Sequence, residues 1–404
     1  MESYKKGFRL KNNPQKSVIM LLLSKGVYQN DSRVMREIEA LSRQDFSITL
    51  ITLSNTTKYT AETLKNGAKV ISIPTIANRI SGNAIFWFIK YIFWIVRIVK
   101  SVKHFSFKIV HANDLNTLLP AWILSRLHRS SLIYDSHELF LEQYHLNPVV
   151  KIIWNIIESL LIKRADSVFA ENVKCSQYLM RRYHLEKVVP LYNMQWYRKY
   201  TPQNKFRQLF NISDERKIIL YQGAIRPARG LEKLLIIAKE FPMYCIVVLG
   251  HGDYRTNLED QSKKLKLTNF YTMSAVPKNQ LHEYTCSADL GIFLLENVDL
   301  NYYYATSNKL FEYLGAGLPV VFSDFPEMRR FIKRYNTGFV VNENNISEIK
   351  DKVHRILENP KLWNIMHNNA LNAIRTDLNW EKESKKLIDV YNKMVDLTNF
   401  RKNV

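Results

Sequence analysis

Residues 307–321 read SNKLFEYLGAGLPVV: a lysine and a glutamate three apart at the front of a helical pattern, then Gly-Ala-Gly, then an apolar run. A helix N-terminus carries unpaired N–H groups and the positive end of the helix dipole, so it binds phosphate without special side chains. Ser307 has the residue type of an N-cap, which turns the amides of Asn308, Lys309 and Leu310 toward an anion. Glu312 lies one turn further in, where a carboxylate can accept hydrogen bonds from the two hydroxyls of a ribose. Phosphate at the amides and ribose at the carboxylate describe a nucleoside diphosphate. Gly315 and Gly317 let the helix end tightly and the next strand approach. The plainer alternative is a surface glutamate on an ordinary helix.

Elements must bring such groups together. VIMLLL, FSITLITL, KVISIP, FKIVHAND, SLIYDSHE and DSVFAEN read as strands in the first half, with a helix through VMREIEALSR. After an aromatic, weakly periodic connection at 190–216, KIILYQG, CIVVLG, NFYTM, DLGIFLL and PVVFS read as strands, alternating with helices over LEKLLIIAKEF, LHEYTCSA and NKLFEYLGAG. LNWEKESKKLIDVYNKMVDL closes the pattern as a long amphipathic helix. Continuously apolar strands alternating with helices predict parallel sheets covered on both faces. Such sheets bind ligands beyond the carboxyl ends of their strands. The informative loops are therefore SKG (Gly26), HAND (His111, Asp114), DSHE (His137, Glu138), YQGAIRPARG (Arg226, Arg229) and GHG.

Bulk properties agree with two domains. The chain has 404 residues, suited to two cores rather than one. Its formal charge is +21, of which residues 1–195 carry +13 and the remainder +8. Such a surplus suits a phosphate-bearing ligand, an anionic membrane or nucleic acid, or is a solvated basic surface. Cys175, Cys245 and Cys286 are odd in number and far apart, which argues against a disulfide framework or structural zinc and for a reducing compartment. The first apolar run is too short for a signal-peptide core, so the expected location is cytoplasmic. Residues 84–105, AIFWFIKYIFWIVRIVKSVKHF, are apolar with Lys90 and Arg97 inside the run. These charges argue against a span. A basic helix of this kind can lie on an anionic membrane, at the inner face of the cytoplasmic membrane, or serve as a core helix with a basic outer face.

The motif order strand–YQGAIRPARG–helix, VVLGHGD, a strand ending in LL, then SNKLFEYLGAGLPVVFSD resembles the C-terminal half of the family-4 glycosyltransferases, and FKIVHANDLNTLLPA with LIYDSHE resembles their N-terminal half. The resemblance implies an α/β GT-B architecture with two facing Rossmann-like domains of parallel sheets. Residues 1–195 would be an acceptor-side domain, 196–375 a nucleotide-sugar domain, and 376–404 a helix packing back toward the first. It implies transfer of a sugar from a UDP- or GDP-sugar-type donor to a glycan or lipid-linked acceptor, with retention and without a metal or cofactor, in surface polysaccharide or glycolipid synthesis. Carried over, Glu312 holds the ribose. Arg229, where the family commonly has lysine before glycine, reaches the diphosphate and stabilises the leaving charge; Arg226 substitutes for a family arginine that falls on Ala224. Met273 to Val276 face the base, and Gly26 brings amides near the diphosphate. His137 is the active-site histidine, placed to hydrogen-bond a sugar hydroxyl or to carry charge as the glycosidic bond opens. His111, Asp114 and Glu138 position the acceptor or support the site. One departure stands out: eight positions before Glu312, the family's first glutamate is replaced by Tyr304, leaving Asn308 and Lys309 to take over part of its work.

Retention through a front-face route needs no protein nucleophile, and no D-x-D pair is present. Three rival readings remain: a GT-B nucleotide-sugar 2-epimerase, a non-catalytic partner subunit suggested by Tyr304, and a nucleic-acid binder suggested by charge alone. The last lacks any recognised module, and Arg255 breaks the dinucleotide fingerprint that GHG would begin; nucleic acid is not an expected partner.

Overall fold

The computed structural model describes residues 16–23, 28–54, 59–74 and 84–403. The chain divides into two compact units, residues 1–191 with 384–404, and residues 192–383. The expected boundaries at 195/196 and 375/376 differ from these by a few residues. The long C-terminal helix, Trp380–Asn403, gives its first turn to the second unit and the rest to the first. Its start is tied to the second unit by the Trp380 amide, which donates to the Gln195 carbonyl at 2.8 Å.

The first unit is built on eight strands: β1 (Ser17–Leu22), β2 (Ser47–Ser54), β3 (Thr60–Thr63), β4 (Lys69–Pro74), β5 (Ile109–Asn113), β6 (Ser131–Ser136), β7 (Ser167–Ala170) and β8 (Val189–Pro190). Their order is β3-β4-β2-β1-β5-β6-β7-β8. All neighbours are parallel except β3, which runs antiparallel to β4. This edge strand, TAET, is polar and mostly exposed, so it lacked the apolar run by which the other strands are recognised. β1, β5 and β6 are buried along their whole length, as helix-covered parallel strands should be.

The second unit holds β9 (Ile218–Gln222), β10 (Cys245–Leu249), β11 (Phe270–Met273), β12 (Leu290–Phe293), β13 (Val320–Ser323) and β14 (Gly338–Val341), ordered β11-β10-β9-β12-β13-β14 and parallel throughout. Strand order reverses between β1 and β5 in one sheet and between β9 and β12 in the other. Ligand sites of open α/β sheets form at these switch points. β5 ends in His111-Ala112-Asn113 and is followed by Asp114; β9 ends in Tyr221-Gln222 and is followed by the loop Gly223–Gly230.

Candidate active site

In the first unit, β5 and β6 lie side by side with Asn113 opposite Asp135. Asp135 is fully buried. It meets Arg33, from the helix Ser32–Ser42, whose N-cap Asp31 accepts the amides of Arg33 and Val34. The Arg33 guanidinium forks onto the Asp135 carboxylate at 2.8 and 2.7 Å and gives its third nitrogen to the Leu191 carbonyl at 2.6 Å. Bidentate charge-assisted pairing of this kind fixes both partners. Glu37, one turn along the same helix, stands 3.2 Å from Arg33.

His137 sits in front of this pair. Its Nε2 lies 3.3 Å from Asp135 Oδ2, and its Nδ1 lies 3.6 Å from Asp114 and 4.0 Å from Asp31. Asp114 holds the same residue by its backbone, accepting the His137 amide at 3.0 Å. To do so Asp114 adopts φ 68°, a left-handed conformation that a residue with a Cβ seldom takes, and one that collects at functional sites. Glu138 accepts from Gln143 at 2.5 Å.

The charges follow from these contacts. Burial alone would raise Asp135, but Arg33 and His137 hold it well below the usual carboxylate range. Burial alone would lower His137; Asp114 and Asp135 outweigh it and raise the imidazole to about 10. His137 is therefore a cation at neutral pH, its ring held between carboxylates. Burial, reinforced by Asp135 and opposed by Arg33, raises Glu37 well above its usual range. Burial raises Asp114 as well, against the pull of His137.

Of the two roles expected for His111, the buried side chain suits support of the site and not contact with an acceptor. Its side chain is wholly buried, with Nδ1 2.5 Å from the Tyr391 hydroxyl and Nε2 3.8 Å from Asp135. Burial lowers its pKa, so it is a neutral brace behind Asp135. Glu37, His111 and Asp135 offer ligand atoms close enough for a metal ion. Arg33 already occupies both oxygens of Asp135, and a guanidinium beside a cation is repulsive, so the group does not suit a metal. Gly26 lies outside the described residues.

In the second unit, Glu312 accepts from the Gln222 side-chain amide at 2.5 Å. Gln222 ends β9, and its carbonyl oxygen accepts from Thr285 at 2.8 Å, which sets which way the amide points. Glu312 also borders a recess that includes Trp196, Arg198, His282 and Phe311. Three residues before it, Lys309 lays its amine over the Phe293 ring, 4.4 Å from the centroid. Arg229 approaches the same ring at 5.7 Å, stacks on Tyr302 at 4.9 Å and donates to the Tyr302 hydroxyl at 3.2 Å. Its buried Nε has no hydrogen-bond partner among the described residues. Neither Arg229 nor Lys309 makes an ion pair with a carboxylate among those residues. Burial, helped by Arg229 and opposed by Glu312, lowers the Lys309 amine to about 7. Arg226 is exposed at the mouth of the same loop.

The helix Asn308–Gly315 begins where expected, with two corrections. The Ser307 side chain makes no capping bond. Its carbonyl instead accepts the Leu310 amide at 3.0 Å, so that amide is already used. Met273 ends β11 and Val276 follows in its loop; both are half-buried. β11 is the sheet edge, two strands from β9, so this loop stands about 10 Å to the side of the Gln222 position. Tyr304 closes the short helix Leu300–Tyr304. The tyrosine that meets Arg229 is Tyr302.

Residues 202–373 match the model of glycosyl transferases group 1, and residues 31–192 match that of the glycosyl transferase 4-like domain. The chain has the GT-B fold. A solved sucrose-phosphate synthase from Thermosynechococcus elongatus shares the fold at TM-score 0.78 and 14% identity, over 95% of this chain and all of that one. Anabaena HepE, solved in complex with UDP, does so at TM-score 0.71 and 14% identity over 93% of this chain and all of its own. Among curated relatives, an uncharacterised glycosyltransferase of Haemophilus influenzae is 23% identical over 180 residues, 40% of this chain and 44% of that protein. The chain thus matches less than half the length of this relative.

The sequence reading did not single out Asp135, Arg33, Gln222 or Tyr302. Asp135 was visible as the acid of YDSHE, one step before the histidine. Arg33 and Gln222 had no local signal, since their partners lie 102 and 90 residues away.

Proposed function

We propose that this GT-B protein transfers a sugar, with retention, from a nucleotide-diphosphate sugar to a glycan or lipid-linked acceptor, in surface polysaccharide or glycolipid synthesis. The observation that carries the donor reading is the pair Arg229 and Lys309. Two half-buried basic groups share one ring, without an ion pair to a carboxylate among the described residues, at the switch point of the second sheet. Cations so placed repel one another, and a diphosphate relieves the repulsion. Glu312, one turn beyond Lys309, then takes the ribose hydroxyls. UDP is the first choice of nucleotide because the HepE neighbour was solved with it.

In the proposed reaction the acceptor oxygen bonds to the anomeric carbon on the face from which the phosphate leaves. The carbon–phosphate oxygen bond breaks, and the acceptor's proton passes to the departing phosphate. Arg229 and Lys309 stabilise the charge that grows on that phosphate. His137, protonated between Asp114 and Asp135, supplies a fixed positive charge and orientation to the sugar; it is not a general base. The chain is assigned to the cytoplasm, where nucleotide sugars would be its donors.

Thermal shift with UDP, GDP, ADP and CMP tests this. A ligand bound only by the folded state raises its stability by mass action. One diphosphate is expected to raise Tm in the native chain and to lose most of that shift in Glu312→Ala. Equal shifts in both would remove the ribose role. Release of an epimer from nucleotide sugar alone would replace transfer by isomerisation.

A further inference from the structure

Two helices of the first unit present apolar side chains to solvent. In Pro148–Leu161 the exposed residues are Val149, Ile152, Ile156 and Leu160, each 54–63% accessible. At 3.6 residues per turn they fall within an arc of about 80°. The opposite face holds the buried Trp154 and Glu158. In Ala84–Val102 the apolar Phe88, Ile92, Phe93 and Val96 are exposed, each 39–53% accessible. The exposed Lys100 falls in the same arc. The two helices meet through an edge-to-face contact of Tyr91 with Trp154, 5.3 Å between centroids, and both pack on the helix Leu115–His128. That third helix adds Leu127, 62% exposed. Scattered exposed apolar residues are ordinary; two neighbouring helices with coherent apolar stripes are not.

The charge around the stripes has one sign. The helix Ala84–Val102 and the residue after it carry Lys90, Arg97, Lys100 and Lys103 and no carboxylate. Lys163 and Arg164 follow the second helix and are exposed. The acids nearby are engaged: Glu158 is buried and accepts from Tyr134 and Tyr183, while Glu142 accepts from Tyr178 and Arg182. No helix among the described residues is long and apolar enough to cross a membrane.

We propose that these two stripes form a docking surface for an anionic lipid bilayer, lying on it with the apolar residues at the acyl boundary and the cations at the headgroups. Apolar burial and attraction to anionic lipid add together in such binding, and neither suffices alone for stable anchoring. The inference goes beyond sugar transfer and does not depend on it, because binding is read without turnover.

The test is flotation of the full chain with phosphatidylcholine vesicles, with and without phosphatidylglycerol, at low and high salt. Ile152→Glu/Ile156→Glu and Phe93→Glu are the variants; all three positions are exposed, and unchanged Tm and UDP shift check the fold. The expected result is binding to the anionic vesicles at least about tenfold tighter than to neutral ones, weakened by salt and lost by a similar factor in the variants. Absence of binding to anionic vesicles, or binding unchanged in the variants, overturns the proposal. So does a concentration-dependent dimer of the native chain that the variants abolish, which would make this face a contact between two copies. A native chain that floats but shows no nucleotide shift would sink the donor reading and leave this one standing.

Discussion

At the scale of single residues, the site is a set of charges held where water would not leave them. His137 is raised to about 10, so its protonated form stabilises the fold fully below its ordinary value near 6.5 and loses that contribution as pH rises through about 10. The stability advantage of the native chain over His137→Gln should be constant in acid and shrink toward pH 10; denaturant titrations at several pH values measure it. His137→Ala should lower turnover more than donor affinity. A variant with full turnover would take His137 out of the reaction. Lys309 shifts in the opposite sense. Its amine sits at about 7 without ligand, and a bound diphosphate raises it. UDP binding near pH 8 should therefore take up roughly one proton, and affinity should fall by up to about tenfold per unit as pH climbs above 7. Calorimetry in buffers of different ionisation enthalpy counts that proton; none taken up would place the phosphate elsewhere.

At the scale of elements, a strand end and a helix start set each group. Glu312→Ala should weaken nucleotide binding by roughly 10- to 100-fold, the worth of hydrogen bonds to a charged group. Two glycines serve the same loop. Gly223 has φ 128°, and a Cβ there would fall 2.6 Å from Lys309 Cε. Gly230 has φ 70°, and its Cβ would meet the Leu294 carbonyl oxygen at 2.3 Å. Gly230→Ala should cost about 1–3 kcal/mol of stability from strain alone, because backbone cannot yield. Gly223→Ala should show itself more in UDP affinity, because a flexible lysine can move aside and lose its place. Comparing Tm and affinity for the two separates these effects.

What could be read ahead of the structure follows the same division. Apolar runs predict buried strands because burial on both faces leaves no other composition, and the SNKLFEYLGAG helix announces itself by periodicity and glycine. β3 is polar, and Gln222 and Arg33 act on partners far along the chain, so no local pattern contained them. His111 and His137 look alike in sequence, each at a strand end; only packing against Tyr391 separates the wholly buried His111 from His137, which stands among Asp31, Asp114 and Asp135.

At the scale of the whole molecule, the first unit is discontinuous. Residues 384–404 complete it, and they do so with the buried polar contacts Tyr391 to His111 and Thr398 to Ser131 and the exposed ion pair Arg401 to Asp166. Tyr391→Phe leaves His111 Nδ1 unpaired in the interior and should cost about 1–3 kcal/mol, measured by urea denaturation. Removing 384–404 should unfold the first unit while the second still binds UDP.

This discontinuity also sets an order of events during synthesis. Residues 192–383 are contiguous and can close as soon as they emerge. Residues 1–191 emerge first but wait for a segment translated almost two hundred residues later. At about 5–20 residues per second that delay is roughly 10–40 s. For that interval His111 Nδ1 lacks its Tyr391 partner and Ser131 its Thr398 partner, and the half of the protein made first is the half finished last.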